Sequence, residues 1–136
     1  MKLMTEISVG EFLDKITILE IKSERIHDPA KLENVRRELE ILRDIWAEAG
    51  IDYPGLAEHT AELKAINEKI WDIEDGIRDK EREQAFDAEF IELARAVYFT
   101  NDRRAAVKRD INLAAGSSLI EEKSYSDYGS GKPAPA

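Results

Sequence analysis

A glutamate lies within an apolar helix face, where a carboxylate is costly unless it is paired or protonated. Helical periodicity places Glu20 in the middle of the apolar arc, with Leu13 and Ile16, of a helix predicted over residues 8–27. A carboxylate in such a place either pairs with a cation or takes up a proton. We expect Glu20 to form a structural ion pair; the alternative is a catalytic acid, with Lys15 as a second catalytic candidate.

A basic cluster in the last predicted helix can supply the counter-charge. It consists of Arg103, Arg104, Lys108 and Arg109. Arg104 and Lys108 flank apolar positions, so their aliphatic stems should lie against the core, and we expect one of them to reach Glu20. Alternatively, the cluster binds an anion such as phosphate or carboxylate, together with Tyr125. A solvated basic face without a ligand is the commoner outcome for such a helix.

Three aspartates recur at helical spacing near the middle of the chain. They are Asp72, Asp75 and Asp79. Hard cations such as Mg²⁺ need several converging carboxylates, and all-helical nucleotide pyrophosphohydrolases place such acids on facing helices. Basic residues interleave with this stripe, namely Arg78, Lys80 and Arg82. We therefore expect no metal and no other cofactor, and keep a magnesium-dependent pyrophosphohydrolase as the weakest hypothesis.

The other side of the first predicted helix carries a second apolar patch, formed by Ile18 and Ile21. A helix that is apolar on two sides is normally packed between neighbours or used in a dimer. Trp71, in the third predicted helix, points away from the apolar seam of that helix, so it covers helix four or five of the same chain, meets a second subunit or is exposed for binding. These three residues predict a homodimer or a contact with a protein partner.

Start and stop signals predict an all-α bundle. Ser8 with Glu11 forms a capping box, and Asp28-Pro29 starts a second helix almost without a linker. In the third helix, isoleucine and leucine recur at steps of three and four, a pattern typical of antiparallel coiled-coil packing. Three long antiparallel helices are predicted over 8–27, 29–49 and 56–84, and two shorter helices over 88–99 and 102–115. We expect one domain over residues 1–128 and a flexible Gly/Pro tail over 129–136.

Composition excludes several classes of protein. The chain has 136 residues, a net charge of −9 and no cysteine, so disulfides and thiolate metal sites are excluded. The acidic balance argues against a nucleic-acid partner, since phosphate binding depends on a surplus of Lys and Arg. No apolar run approaches the ~20 residues of a membrane span, and the first residues lack a hydrophobic signal region. We expect a cytoplasmic protein.

Three stretches of sequence resemble a known family. They are VGEFLDKITILEIK at residues 9–22, NDRRAAVK at 101–108 and GSSLIEEKSY at 116–125. These stretches resemble a family of small bacterial proteins described only as a domain of unknown function. The similarity extends over nearly the whole chain. The resemblance implies no activity and no catalytic residue. Genes of such proteins often lie near genes for sugar transfer and cell-envelope polysaccharides, which implies an association without a mechanism.

Three hypotheses about function follow. The leading one is a non-enzymatic helical interaction module, most simply a homodimer. The second is an enzyme that binds a small molecule or anion in a mutase-like pocket around Glu20, Lys15 and the basic cluster. The third is the pyrophosphohydrolase. The first two differ in the position of Glu20 relative to Arg104: a pair inside a packed core indicates scaffold, and an open cavity indicates a binding site.

Overall fold

Four helices make up the fold. The computed structural model describes residues 1–129, and within them the regular structure is α1 (Val9–Arg25), α2 (Pro29–Ala49), α3 (Leu56–Glu83) and α4 (Ala88–Ala115). The predicted all-α class is confirmed. The predicted tail over 129–136 lies outside the described residues, apart from Gly129. Within residues 1–129, no helix carries an apolar stretch long enough to cross a bilayer.

Local capping explains where the helices begin. The Ser8 side chain accepts a hydrogen bond from the Glu11 amide at the start of α1, and Asp28 caps α2 with Pro29 in its first turn. α2 ends at Gly50, which has a left-handed φ of 61°. These signals need no tertiary contact, and α1, α2 and α3 accordingly begin and end within two residues of their predicted limits.

The last two predicted helices are in fact one, so the predicted break between residues 99 and 102 is wrong. α4 continues through Thr100, Asn101 and Asp102, because cap residues start a helix only where the preceding backbone leaves the helical conformation. α4 stays packed on α3 along both halves. Leu93 lies against Gly76, and Arg104 donates a hydrogen bond to Asn67, 3.3 Å away. This packing outweighs the local start signal.

α1 is the central helix. It contacts α2, α3 and α4. On one side, Leu13 is buried in a cluster from α3 and α4 that contains Leu63, Ile66, Val107 and Ile111. On another side, Phe12, Ile16 and Leu19 pack with Leu39 of α2. Trp46 of α2 packs against both clusters and stacks on Phe12, with ring centroids 6.0 Å apart.

Candidate functional site

A close crossing of α1 and α4 positions the candidate site. A Cβ atom placed on Gly10 would lie 2.5 Å from the backbone oxygen of Lys108, so the two helices touch at this glycine. The Gly10 amide donates to Asn112 Oδ1 at 2.6 Å, and the Val9 amide donates to Ser117 Oγ at 3.2 Å. The first amides of α1 are therefore satisfied within the chain, and the next turn of α1 faces α4.

Beside the crossing lies a buried polar network. Asn67 Nδ2 donates to Asp14 Oδ1 at 2.9 Å and to Thr17 Oγ1 at 3.0 Å, and all three side chains are buried. Because a carboxylate only accepts, the amide nitrogen of Asn67 faces Asp14 and its oxygen faces the other way. That oxygen accepts a hydrogen bond from Arg104 Nη1 at 3.3 Å. Asn67 thus links a buried acid to a guanidinium.

Lys108 is a buried cation surrounded by three carboxylates. Its Nζ lies 2.5 Å from Glu11 Oε2, 3.8 Å from Asp14 Oδ2 and 3.7 Å from Glu121 Oε2. Burial acts to raise the pKa of Glu11, but the hydrogen bond from Lys108 and its charge outweigh burial and hold that pKa below its ordinary value. Glu11 therefore stays ionised beside Lys108.

A cavity of about 530 Å³ opens beside this network. α1 and α4 form two of its sides, and the third is the irregular segment 117–128, which we call the C-terminal strap. Asp14, Arg104 and Lys108 lie in the wall, and the strap contributes Glu121, Lys123 and Tyr125. Cavities of roughly 300–1,000 Å³ are typical of small-molecule sites.

The carboxylates of the cavity wall are all engaged within the chain. Asp102 accepts a hydrogen bond from the Tyr128 hydroxyl, which raises the pKa of Tyr128 to about 12. The other three are held by Lys108, Asn67 and Lys123, as the following contacts show: Glu11–Lys108, Asp14–Asn67 and Glu121–Lys123. Arg104 differs, because no carboxylate within residues 1–129 forms an ion pair with it. Among the cations of the wall, Arg104 is therefore the one that contacts no carboxylate of the described residues.

Glu20 takes no part in this site. Its side chain is 26% exposed and accepts a hydrogen bond from Arg43 of α2 at 3.0 Å. The expected contact with Arg104 or Lys108 is not formed, because α4 crosses α1 at Gly10 and places both cations beside the first turns of α1. Lys15 is exposed and lies outside the cavity wall.

The predicted anion-binding group divides into two parts. Arg104, Lys108 and Tyr125 line the cavity. Arg103 instead pairs with Glu62, and Arg109 pairs with Glu122 at 3.1 Å. These two arginines therefore have carboxylate partners outside the cavity.

Sequence reasoning missed Asp14 and Asn67. Asn67 lies one turn after Leu63 in the apolar seam of α3, and a polar residue at a seam position is a usable signal of a buried network. Asp14 carries no such signal, because helical spacing places it on the side of α1 with Ile18 and Ile21, outside the apolar arc of Leu13 and Ile16.

The aspartate stripe on α3 does not converge on a common point. Asp72 accepts a hydrogen bond from Arg25 at 2.6 Å, and Asp79 accepts one from Arg82 at 2.7 Å, while Asp75 is exposed. Across residues 1–129, no group of three or more acidic or histidine side chains could hold a metal ion.

The predicted interface residues are largely covered by the chain itself. Ile21 is 1% exposed, and Ile18 is half-buried. Trp71 is also half-buried, with the Arg25 guanidinium carbon 5.9 Å from its ring centroid. Ile21 therefore offers no free surface for a partner.

Comparison with known proteins gives a family but no activity. No curated protein and no solved structure matches this chain. The resemblance to a family without an assigned function is confirmed. The model of a family of unknown function (DUF6165) matches residues 1–136, and the chain therefore belongs to that family.

Proposed function

We propose that this protein binds a small anionic molecule, one that carries a carboxylate or phosphate group, in the cavity between α1, α4 and the C-terminal strap. The observation that carries the proposal is Arg104. Its half-buried guanidinium lines the cavity without a carboxylate partner among residues 1–129, whereas the acids of the wall all have partners.

The neighbours of Arg104 suit it to this role. A guanidinium presents several N–H donors in a fixed fork that matches carboxylate and phosphate oxygens. One donor is used by Asn67, which is itself fixed by Asp14 and Thr17. The buried network thus orients the arginine before a ligand arrives, and such preorganisation reduces the entropic cost of binding.

The other cations and the aromatic rings of the wall add to the fit. Lys108 and Lys123 also line the cavity and can supply further donors to an anion. The rings of Tyr98 and Tyr125 offer apolar surface to the body of the ligand. This arrangement supports binding of a polar molecule and assigns no reaction.

Thermal denaturation with added anions tests the proposal. The probes are inorganic phosphate, succinate and a sugar phosphate, each compared with chloride at equal ionic strength; the sugar phosphate follows from the association with polysaccharide genes. A probe at ten times its Kd should stabilise the wild-type chain by about 1.4 kcal/mol. Arg104→Ala should abolish the shift. Arg103→Ala removes the same charge one position away and should keep it, because Arg103 pairs with Glu62.

The proposal is refuted if no probe shifts the transition of the wild-type chain or of Glu121→Gln, a variant that removes an acid from the cavity wall. It is also refuted if a probe shifts the Arg104→Ala and wild-type chains equally. Circular dichroism before each titration checks that the variants are folded.

A second candidate function is self-association through α2. Ile41 and Ile45 lie one helical turn apart on α2 and are 53% and 45% exposed. An apolar pair of this kind favours a homodimer through α2 in place of Ile18 and Ile21. Light scattering after size exclusion should give a dimer mass for the wild-type chain and a monomer mass for Ile45→Lys; a wild-type monomer at high micromolar concentration would sink this alternative.

A further inference from the structure

We propose that the carboxylate of Glu121 is a built-in competitor of the ligand: it holds Lys108 and Lys123, which an anion bound at Arg104 would also contact, and it must release these lysines to the anion. The inference rests on the proposed function, and it assigns the C-terminal strap a regulatory role at the same site.

Glu121 contacts the two lysines of the cavity wall as a bound anion would. Its Oε2 atom lies 3.7 Å from Lys108 Nζ, and its Oε1 atom lies 3.5 Å from Lys123 Nζ. One carboxylate therefore bridges two ammonium groups, using one oxygen for each. A ligand carboxylate or phosphate that engaged Arg104 and these lysines would compete with Glu121 for the same positive charge.

Of the three acids around Lys108, Glu121 is the one that can move at low cost. Glu11 and Asp14 belong to α1, and a hydrogen bond fixes each of them. Lys108 donates to Glu11 at 2.5 Å, and Asn67 donates to Asp14 at 2.9 Å. Glu121 lies beyond hydrogen-bonding distance of Lys108, and its side chain is 42% exposed. The Glu121 end of this long pair is open to solvent, and Lys108 keeps its hydrogen bond to Glu11, so releasing Glu121 from Lys108 is easily offset by ligand contacts.

The strap is attached at its two ends and weakly held between them. At one end, the Ser117 amide donates to the Asn112 carbonyl at 2.9 Å. At the other, the Tyr128 hydroxyl donates to Asp102, and its ring lies edge-on to Phe99 with centroids 5.1 Å apart. Between these ends, two ion pairs connect the strap to α4: Arg109–Glu122, which is exposed at both ends, and the long Lys108–Glu121 pair at 3.7 Å. The segment that carries Glu121 can thus lift away while both attachments persist.

Phosphate titration calorimetry on the full chain tests the inference with a matched pair of variants. Glu121→Gln removes the competing carboxylate and keeps the size of the side chain. Glu122→Gln removes the same charge from the next residue, whose carboxylate pairs with Arg109 at 3.1 Å. We expect Glu121→Gln to bind phosphate roughly two- to five-fold more tightly than wild type, the range that corresponds to an exposed ion pair. Glu122→Gln measures the effect of net charge alone, and we expect it to bind phosphate like wild type.

Titration of Arg104→Ala in parallel distinguishes failure of the competitor role from failure of the anion site itself. If wild type binds phosphate, Arg104→Ala does not, and Glu121→Gln is no tighter than Glu122→Gln, the competitor role fails and the anion site stands. If Arg104→Ala binds like wild type, or no variant binds, both proposals fail together. Binding by Glu121→Gln alone would support the competitor role in its strongest form, in which the strap closes the site of the wild-type chain.

Discussion

Replacing Gly10 with alanine should destabilise this protein, although a glycine-to-alanine change inside most helices stabilises the helix. Alanine is the better helix former by up to about 1 kcal/mol. At Gly10, however, the added methyl group would lie 2.5 Å from the Lys108 backbone oxygen and 2.9 Å from Asn112 Oδ1. A backbone carbonyl inside α4 cannot rotate away as a side chain can, so one helix must move.

The expected magnitude follows from these opposing effects. Forcing an extra methyl group into a packed contact costs typically about 1–3 kcal/mol. The shift would also lengthen the 2.6 Å hydrogen bond from the Gly10 amide to Asn112, and such a bond contributes about 1 kcal/mol. With the propensity gain subtracted, we expect a net loss of about 1–3 kcal/mol. For a domain of this size, that lowers Tm by roughly 3–12 °C.

Gly76→Ala is the matched control, because Gly76 is also a helical glycine at a helix–helix contact. Its added methyl group would meet only the side chain of Leu93, at 3.2 Å, and that leucine can adjust its rotamer. Urea and thermal denaturation followed by circular dichroism should place Gly76→Ala within about 0.5 kcal/mol of wild type and Gly10→Ala clearly below it. A Gly10→Ala variant as stable as wild type would show that α1 and α4 do not cross as closely as described, and the candidate site would lose its geometric basis.

Two further predictions concern the polar residues of the site. Asn67→Ala leaves the buried Asp14 and Thr17 without their shared donor, so it should cost about 1–3 kcal/mol in urea denaturation, whereas Asn34→Ala on the exposed face of α2 should cost little. The pKa of Glu11 is lowered in the folded chain, so the stabilisation from its pair with Lys108 is present above its ordinary value of 4.5 and is lost as the pH falls through the folded pKa. Glu11→Gln should therefore flatten the acid side of a stability-against-pH curve below about pH 5, and an unchanged slope would contradict the pairing.

The parts of the fold that sequence predicted well are those set by local chemistry. Ser8 and Asp28 cap their helices with their own side chains, and these caps are readable without knowing the tertiary structure. The same kind of signal misled at residues 100–102, where α4 continues because it packs on α3. A cap residue shows where a helix can begin, and tertiary packing determines whether a helix begins there.

The candidate site was harder to predict, because it depends on where two helices cross. A helical wheel correctly placed Leu13 and Ile16 in the core, but it cannot say which neighbour each side of α1 meets. The sequence therefore assigned to Glu20 the buried position that Asp14 holds, six residues closer to the crossing at Gly10. Arg104 and Lys108 were identified as members of a group, and only the structure separates them from Arg103 and Arg109, whose partners lie outside the cavity.

The three sequence stretches that carry the family resemblance meet at this cavity. Residues 9–22 supply Glu11 and Asp14, residues 101–108 supply Arg104 and Lys108, and residues 116–125 supply the cavity side of the strap. Packing accounts for some of their residues, such as Gly10 at the helix crossing. It gives no reason for an arginine without a carboxylate partner within residues 1–129 to face a cavity, or for a strap that borders the cavity with charged residues, since apolar residues would hold both elements more firmly. The proposed binding of an anion, with Glu121 as the proposed competitor, would explain both features by one mechanism.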